Sequence, residues 1–204
     1  MKLYFTPTSP FARKVLVAAR ELGVADRIET TLLRPAPTKA DPELSRANPL
    51  SKIPALVLDD GSALYDSPVI CEYLETLAGG RRLVPAAGAE RFRVLRTQAL
   101  CDGVLEAGVL VFYERAQRPR ELHWEAWIAG QAEKARQGLD ALEREAERFG
   151  AEVDLAQICA GVTLGWLEFR DPIGDVRAGR PALTRWYDAF RERESMKATE
   201  PPAA

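Results

Sequence analysis

Ser9 is the first residue whose type and position suggest chemistry. It lies in TSPFARK (Thr8–Lys14), where a predicted strand, Lys2–Thr6, passes through a short turn into a helix. The free N–H groups and partial positive charge of a helix N-terminus lower the pKa of a thiol placed there. Serine does not ionise without a base, and the single histidine, His123, is far away in sequence. Ser9 is therefore either a helix cap or a hydrogen-bond donor to a thiolate that a ligand supplies, with Thr8 as the alternative donor.

A second candidate segment is NPLSKIPALVLDDG, in which Pro54 enters a predicted strand. Proline cannot donate to a strand ladder, so this position indicates a strand start at a bend. A trans bond is the default for such a proline. A cis bond would expose the backbone N–H and C=O of Ile53 for pairing with a peptide-like ligand.

The third candidate is the pair Asp66 and Ser67, at the start of a helix predicted over Ser67–Leu77. Ser67 fits the N-cap and Pro68 the first helical position. The helix N-terminus and the Ser67 hydroxyl suit a carboxylate, while Asp66 suits an ammonium group. The pair therefore matches an α-amino acid, and the simpler alternative is a helix cap without a ligand.

The elements that position these residues follow one pattern over the first eighty residues. The order predicted from hydrophobic periodicity is β-α-β-α-β-β-α, in which the second helical region is a Pro-rich loop with about one helical turn. Asp60-Gly61 marks a hairpin between the last two strands. These features predict an α/β domain over residues 1–80.

The composition changes after residue 78, where a Gly-, Pro- and Ala-containing linker begins. Helices are predicted over about 90–115 and 122–149, then from Asp154 and from about Pro181. Asp154 and Gln157 have capping-box spacing, and the apolar helix that follows them should form the centre of a second domain. An all-helical domain is therefore expected over 86–204.

Composition excludes several classes of protein. The chain has 204 residues and a formal net charge of -2, so no overall positive charge attracts nucleic acid or an anionic membrane. No apolar run approaches the roughly 18 residues of a membrane helix, and the start has no signal-peptide pattern. The three cysteines, Cys71, Cys101 and Cys159, are too far apart for a zinc site or a disulfide framework. We expect buried free thiols, no metal site and a cytoplasmic protein.

Taken together and in this order, the segments resemble the glutathione S-transferase family. The first domain resembles the family's thioredoxin-like N-terminal domain, and the helical half resembles its C-terminal domain. NPLSKIPAL is similar to the family's cis-proline segment, and YDSPVICEYL to the segment that receives the γ-glutamyl group. SPF followed by ARK looks most like bacterial members with serine at the catalytic position.

The resemblance implies a site for glutathione, as co-substrate, in the first domain. Ser9 would stabilise the glutathione thiolate. Ile53, through its backbone, and Pro54 would fix the cysteinyl part, and Asp66 with Ser67 would hold the γ-glutamyl amino and carboxylate groups.

A cation is also needed for the glycyl carboxylate of glutathione. Lys52 is the first candidate, with Lys39 and Arg34 as competitors.

The resemblance also implies a second substrate, a small apolar electrophile. Phe11, Tyr113 and Trp166 are the candidate walls of its pocket, although core packing explains Trp166 at least as well. A homodimer with a role in detoxification follows by family analogy.

Departures from family patterns narrow the expected chemistry. Serine rather than tyrosine at the activating position separates the chain from the alpha, mu and pi types. Ser9 and Ala12 stand where a glutaredoxin would have its two cysteines, so dithiol exchange and the covalent thiol chemistry of omega and beta types are disfavoured. Gln157 replaces the family's usual aspartate, and Asp154 supplies the capping acid instead. Two alternatives stay open: a glutathione-dependent disulfide or peroxide reductase, and a non-catalytic binding protein.

Overall fold

The computed structural model describes residues 1–202 and divides into two units. One contains Met1–Ala86 and the segment that begins at Glu194, and the other is Ala87–Arg193. The strands are β1 (Lys2–Phe5), β2 (Glu29–Leu32), β3 (Ala55–Val57) and β4 (Ala63–Leu64). The helices are α1 (Pro10–Glu21), α2 (Pro42–Ala47), α3 (Ser67–Thr76), α4 (Gly88–Gln117), α5 (Glu125–Ala146), α6 (Leu155–Arg170), α7 (Pro181–Phe190) and α8 (Glu194–Lys197).

The four strands form one sheet in the order β2-β1-β3-β4. β2 runs parallel to β1, whereas β3 is antiparallel to both β1 and β4. Tyr4 pairs with Ala55, and Leu56 pairs with Leu64. This element order and the helical second unit confirm the predicted class, a thioredoxin-like domain followed by helices.

Helix α1 follows its sequence signals closely. Ser9 caps it, Pro10 occupies its first turn, and one face of small and branched residues is buried. Gly23 follows the helix with φ of +73°, a conformation that glycine adopts without steric cost. The helix packs against α3, so the starts of these two helices are held by the same layer.

The opposite face of the sheet is covered by α2, a six-residue helix in a region where a loop with about one helical turn was expected. The Asp41 carboxylate accepts hydrogen bonds from the amides of Glu43 and Leu44, both at 2.9 Å. Leu44 and Ala47 then pack with Tyr4 and Ala55 in a buried cluster. Capping and burial together stabilise a helix that is too short to persist alone.

The second unit is all-helical, with α4 packed on α5 and α6. Helix α6 is buried along almost its whole length, as its apolar sequence predicts. Asp154 caps it by accepting from the Gln157 amide at 2.9 Å. The Gln157 side chain instead donates to the carbonyls of Gly150 and Glu152, so only half of the predicted capping box forms.

The segment from Glu194 belongs with the first unit, although the sequence assigned it to the helical domain. Helix α8 packs on α1, where the Ser195 hydroxyl donates to Glu21 Oε1 at 2.6 Å. Arg13 Nη2 donates to the carbonyl of Met196 at 2.9 Å. Buried polar groups require such partners, and α1 supplies them.

The three cysteines are free and buried, as expected. Over residues 1–202, no group of three or more His, Cys, Asp or Glu side chains is arranged to hold a metal ion. In the same range, no helix has the length and apolar character needed to cross a membrane.

Candidate functional site

The sheet register brings three predicted segments to one edge of the first unit. Because β1 and β3 are antiparallel, the end of β1 lies beside the start of β3, where Tyr4 pairs with Ala55. Because β4 is antiparallel to β3, its end reaches the same edge, where Leu56 pairs with Leu64. Residues that follow β1, precede β3 and follow β4 therefore share this edge.

Ser9 follows β1 at this edge and is the N-cap of α1. Its Oγ accepts a hydrogen bond from the Ala12 amide at 3.2 Å, and its own amide donates to the Thr6 carbonyl at 3.1 Å. The cap uses an oxygen lone pair, which leaves the hydroxyl hydrogen available to an acceptor. Thr8 Oγ1 lies 3.4 Å from Thr6 Oγ1, so it already has a neighbour within the turn.

Ile53 and Pro54 precede β3 and are joined by a cis peptide bond, which replaces the trans default. Among residues 1–202, neither the amide nor the carbonyl of Ile53 has a hydrogen-bond partner. Unpaired backbone groups of this kind can pair with the backbone of an extended ligand.

Asp66 and Ser67 follow β4, and their roles at α3 differ from the prediction. Asp66, not Ser67, is the N-cap, and its side chain makes no capping hydrogen bond. Ser67 is the first helical residue and Pro68 the second. The N-cap position falls one residue earlier than predicted because Asp66 is the last residue with extended backbone geometry (φ of -95°, ψ of -160°) and the helix already includes Ser67.

This arrangement leaves polar groups without partners at the start of α3. Ser67 is only 2% exposed as a residue, and within the described chain its hydroxyl, which keeps some contact with solvent, has no hydrogen-bond partner. The amides of Ser67 and Val69 and the carboxylate of Asp66 are likewise unpaired over residues 1–202. The free N–H groups of a helix start suit a carboxylate, and the exposed Asp66 carboxylate beside them suits an ammonium group.

The three candidate cations, Lys52, Lys39 and Arg34, are all exposed. Lys52 directly precedes Ile53, which places it at the edge described above. Phe11 is half-buried in the first turn of α1, with the ammonium of Lys14 5.9 Å from its ring centroid.

The two remaining candidates for the walls of the electrophile pocket, Trp166 and Tyr113, lie in the second unit. Trp166 is 3% exposed and packs edge-to-face on Phe112, with ring centroids 6.4 Å apart. A Cβ on Gly108 would lie only 3.0 Å from the Trp166 ring, so the ring packs closely against α4 and serves as core packing. Tyr113 is half-buried, with its centroid 5.6 Å from that of Phe112.

Sequence reasoning missed Asn48, which organises the loop before the cis bond. Its side-chain amide donates to the Lys52 carbonyl at 2.9 Å, and its oxygen accepts from the Leu50 amide at 3.0 Å. Asn48 is buried, and Ser51 in the same loop has φ of +51°. The only signal in the sequence was the turn-forming pair Asn48-Pro49.

His123, the single histidine, lies in the loop before α5 rather than in a helix. Its Nε2 is 3.0 Å from the Arg118 carbonyl, a contact that links two parts of the same loop. This contact lies wholly within the helical unit.

Comparisons with known proteins agree with this geometry. The family models "Glutathione S-transferase, N-terminal domain" and "Glutathione S-transferase, C-terminal domain" match residues 8–77 and 125–189. The uncharacterized GST-like protein YibF of Escherichia coli (strain K12) is 34% identical over 100% of both chains.

Solved structures agree as well. A glutathione transferase family member from Pseudomonas fluorescens Pf-5, with bound glutathione, is 42% identical over 99% of both chains, with a TM-score of 0.96. A second structure from that organism, with bound S-(propanoic acid)-glutathione, is 41% identical over 100% of both chains, with a TM-score of 0.91. The chain therefore belongs to the glutathione S-transferase family.

Proposed function

We propose that the chain is a glutathione transferase that joins the glutathione thiol to a small electrophile. The observation that carries the proposal is the set of unpaired groups at the start of α3: the Asp66 carboxylate, the Ser67 hydroxyl and the adjacent amides. A γ-glutamyl group presents the matching ammonium and carboxylate. Related proteins of 41–42% identity bind glutathione and a glutathione thioether, which supports the same ligand here.

Each part of the tripeptide has a matching group along the sheet edge. Asp66 pairs with the γ-glutamyl ammonium, and Ser67 with the start of α3 binds its carboxylate. The backbone of Ile53, exposed before Pro54, pairs with the cysteinyl residue. Lys52 provides a cation for the glycyl carboxylate, and Lys39 and Arg34 are its alternatives.

The chemical step needs a thiolate. The Ser9 hydroxyl donates a hydrogen bond to the glutathione sulfur, and the start of α1 contributes positive potential, so the charged form is favoured. The thiol proton passes to solvent. The sulfur then forms a bond to the electrophilic carbon, and either a leaving group departs with its electron pair or the electrons move onto an acceptor in the same molecule. The enzyme supplies positioning and a lowered pKa.

A glutathione-dependent disulfide or peroxide reductase would use the same thiolate on a different partner. The buried state of Cys71, Cys101 and Cys159 means that the chain offers no exposed second thiol, so glutathione would have to provide both sulfurs. Assays with a halogenated nitroaromatic and with a mixed disulfide distinguish the two activities. Activity with the mixed disulfide alone would replace the transferase proposal with the reductase one.

A non-catalytic binding protein is tested by ligand binding alone. Calorimetric titration of the protein with glutathione should show one site per chain. Absence of binding at millimolar glutathione would contradict the transferase and the reductase together, because both need this site.

We also propose a cytoplasmic homodimer with a detoxifying role. Tyr65 and Val69 are 39% and 45% exposed around the start of α3, an apolar surface suited to contact with a second copy. Three free thiols agree with a reducing compartment. Light scattering after size exclusion tests the dimer, and a mass of one chain at micromolar concentration would contradict it.

A further inference from the structure

A cavity of about 340 Å³ lies within the first unit, apart from the groups described above. Residues of α1, β1, β2, the 3-10 helix Ala25–Arg27 with Ile28, and the two residues that follow α8 line it. Its volume is at the lower end of ligand pockets, which span roughly 300–1,000 Å³. The cavity is therefore large enough for a small organic molecule.

The cavity has an apolar part formed by Phe5, Leu16 and Ile28. All three side chains are half-buried, whereas the neighbouring core residues of α1, Val15 and Ala18, are fully buried. Apolar surface is thus available inside the cavity, and covering it removes that surface from water.

Two opposite charges also line the cavity, Arg20 in the last turn of α1 and Asp26 in the 3-10 helix. Neither side chain forms a hydrogen bond or an ion pair with any residue between 1 and 202. Two unpaired groups of opposite charge on one small cavity match a ligand that itself carries both charges.

We propose that this cavity binds a free α-amino acid with an apolar side chain. The Arg20 guanidinium binds its carboxylate, Asp26 binds its ammonium, and the side chain covers Phe5, Leu16 and Ile28. Arg20 lies eleven residues after Ser9, roughly 16 Å along the helix axis. The cavity shares no residue with the proposed glutathione site, so the two proposals stand or fall separately.

The probe is L-phenylalanine, titrated into the full chain and followed by amide chemical shifts. Shifts should concentrate at residues 16–20 and 25–30. Two analogues test the charges: 3-phenylpropanoate lacks the ammonium and phenethylamine lacks the carboxylate. Both should bind more weakly than phenylalanine, the amine by roughly tenfold or more because it loses the guanidinium pairing.

Three variants and one control test the residues. Arg20→Gln should weaken phenylalanine binding roughly tenfold, whereas Arg27→Gln, at an exposed arginine that does not line the cavity, should leave it unchanged. Asp26→Asn should weaken binding about two- to fivefold, since Asp26 is exposed. Ala198→Phe fills the cavity from an exposed position, so it should abolish the shifts and leave the fold intact.

Several results would overturn the proposal. Absence of phenylalanine binding at millimolar concentration would do so, as would shifts that map outside the cavity. Equal binding to wild type, Arg20→Gln and Ala198→Phe would exclude this site. Equal binding of phenylalanine and 3-phenylpropanoate would exclude a zwitterionic ligand. As a control, the spectrum of Arg20→Gln without ligand should match that of wild type. A match shows that weaker binding is not caused by unfolding of the variant.

Discussion

Ser9 Oγ accepts a hydrogen bond from the Ala12 amide at 3.2 Å, and this bond leaves the Ser9 hydroxyl hydrogen unused. The side chain can therefore cap α1 and donate to a ligand at the same time. The two roles that the sequence left as alternatives are compatible, because they use different atoms of one hydroxyl group.

The first prediction separates those roles. Ser9→Ala removes both, while Ser9→Thr keeps a hydroxyl. We expect Ser9→Ala to raise the pKa of the thiol of bound glutathione by about one to two units. One hydrogen bond to a charged group contributes roughly 1.5–3 kcal/mol, which corresponds to a shift of this size. Conjugation should fall about 10- to 100-fold at low pH and approach wild type at high pH, where the thiol ionises without help.

The measurement for this prediction is the pH profile of kcat/KM, together with glutathione affinity. Glutathione should still bind Ser9→Ala, and Ser9→Thr should keep most of the activity. An unchanged pH profile in Ser9→Ala would assign Ser9 to capping alone and direct attention to Thr8.

A second prediction concerns the start of α3. Asp66→Asn and Ser67→Ala should each weaken glutathione binding, by about tenfold for the loss of a charge-assisted hydrogen bond, with kcat changed far less. The expected loss is in affinity because the proposed contacts lie far from the sulfur. Calorimetry measures the affinity of each variant for glutathione. Asp60→Asn, which removes the same charge from the exposed β3–β4 turn, is the control. Equal affinities for all three variants would exclude this site.

A third prediction tests packing between α4 and α5. A Cβ on Gly138 would overlap Val104 Cγ2, whereas a Cβ on Gly130 of the same helix would meet open space. Gly138→Ala should therefore lower the free energy of unfolding by about 1–3 kcal/mol. Gly130→Ala should raise it by up to about 1 kcal/mol, because alanine favours helix.

Urea denaturation measures both glycine variants. Val104→Ala added to Gly138→Ala should recover part of the loss by removing the overlapping methyl groups. If the two glycine variants had the same stability, close contact at Gly138 would be excluded.

A fourth prediction concerns the cap of α6. Asp154 accepts from the Gln157 amide at 2.9 Å and pairs with Arg93 Nη2 at 2.6 Å. Asp154→Ala loses both interactions and should lower the free energy of unfolding by about 2 kcal/mol. Asp154→Asn keeps an oxygen for the cap and should lose less. Denaturant titrations measure both variants. Equal free energies of unfolding for Asp154→Ala and Asp154→Asn would show that the cap contributes nothing.

A fifth prediction uses Tyr4, whose hydroxyl donates to Glu43 Oε1 at 2.9 Å. Burial, and then this hydrogen bond, raise the pKa of Tyr4 above its ordinary value. The unfolded chain then loses this proton at lower pH than the folded chain does. Stability should therefore be complete below about pH 10 and fall as the pH rises through the folded pKa.

Tyr4→Phe should remove this part of the alkaline loss, because phenylalanine has no proton to lose. Denaturant titrations between neutral and alkaline pH compare the two proteins. If the free energy of unfolding fell with pH equally steeply in wild type and Tyr4→Phe, groups other than Tyr4 would cause the alkaline loss.

Local sequence signals were sufficient for most of the elements. Pro10 and Ser9 start α1, Asp154 starts α6, and Asp60-Gly61 marks the hairpin, because capping and turn preferences depend on residues close in the chain. The same signals, read with a family resemblance, were sufficient to predict two domains and a thioredoxin-like first half.

Other features depended on contacts between distant residues, so only the tertiary structure decided them. Arg13 donates to the carbonyl of Met196, 183 residues away, and contacts of this kind hold the segment from Glu194 to the first unit. The role of Asn48 in supporting the loop before Pro54 follows only from the hydrogen bond that its side chain donates to the Lys52 carbonyl. Trp166 became core packing through its contact with Phe112.

The sequence by itself determined which side chains stand at the starts of α1, β3 and α3, since periodicity and capping are local properties. The tertiary structure decided that these three starts share one edge, through the antiparallel pairing of β3 with β1 and β4. It also decided that Asp66 and Ser67 do not use their side chains to cap α3. Strand register and partner choice are non-local, and for that reason a residue list alone could not supply them.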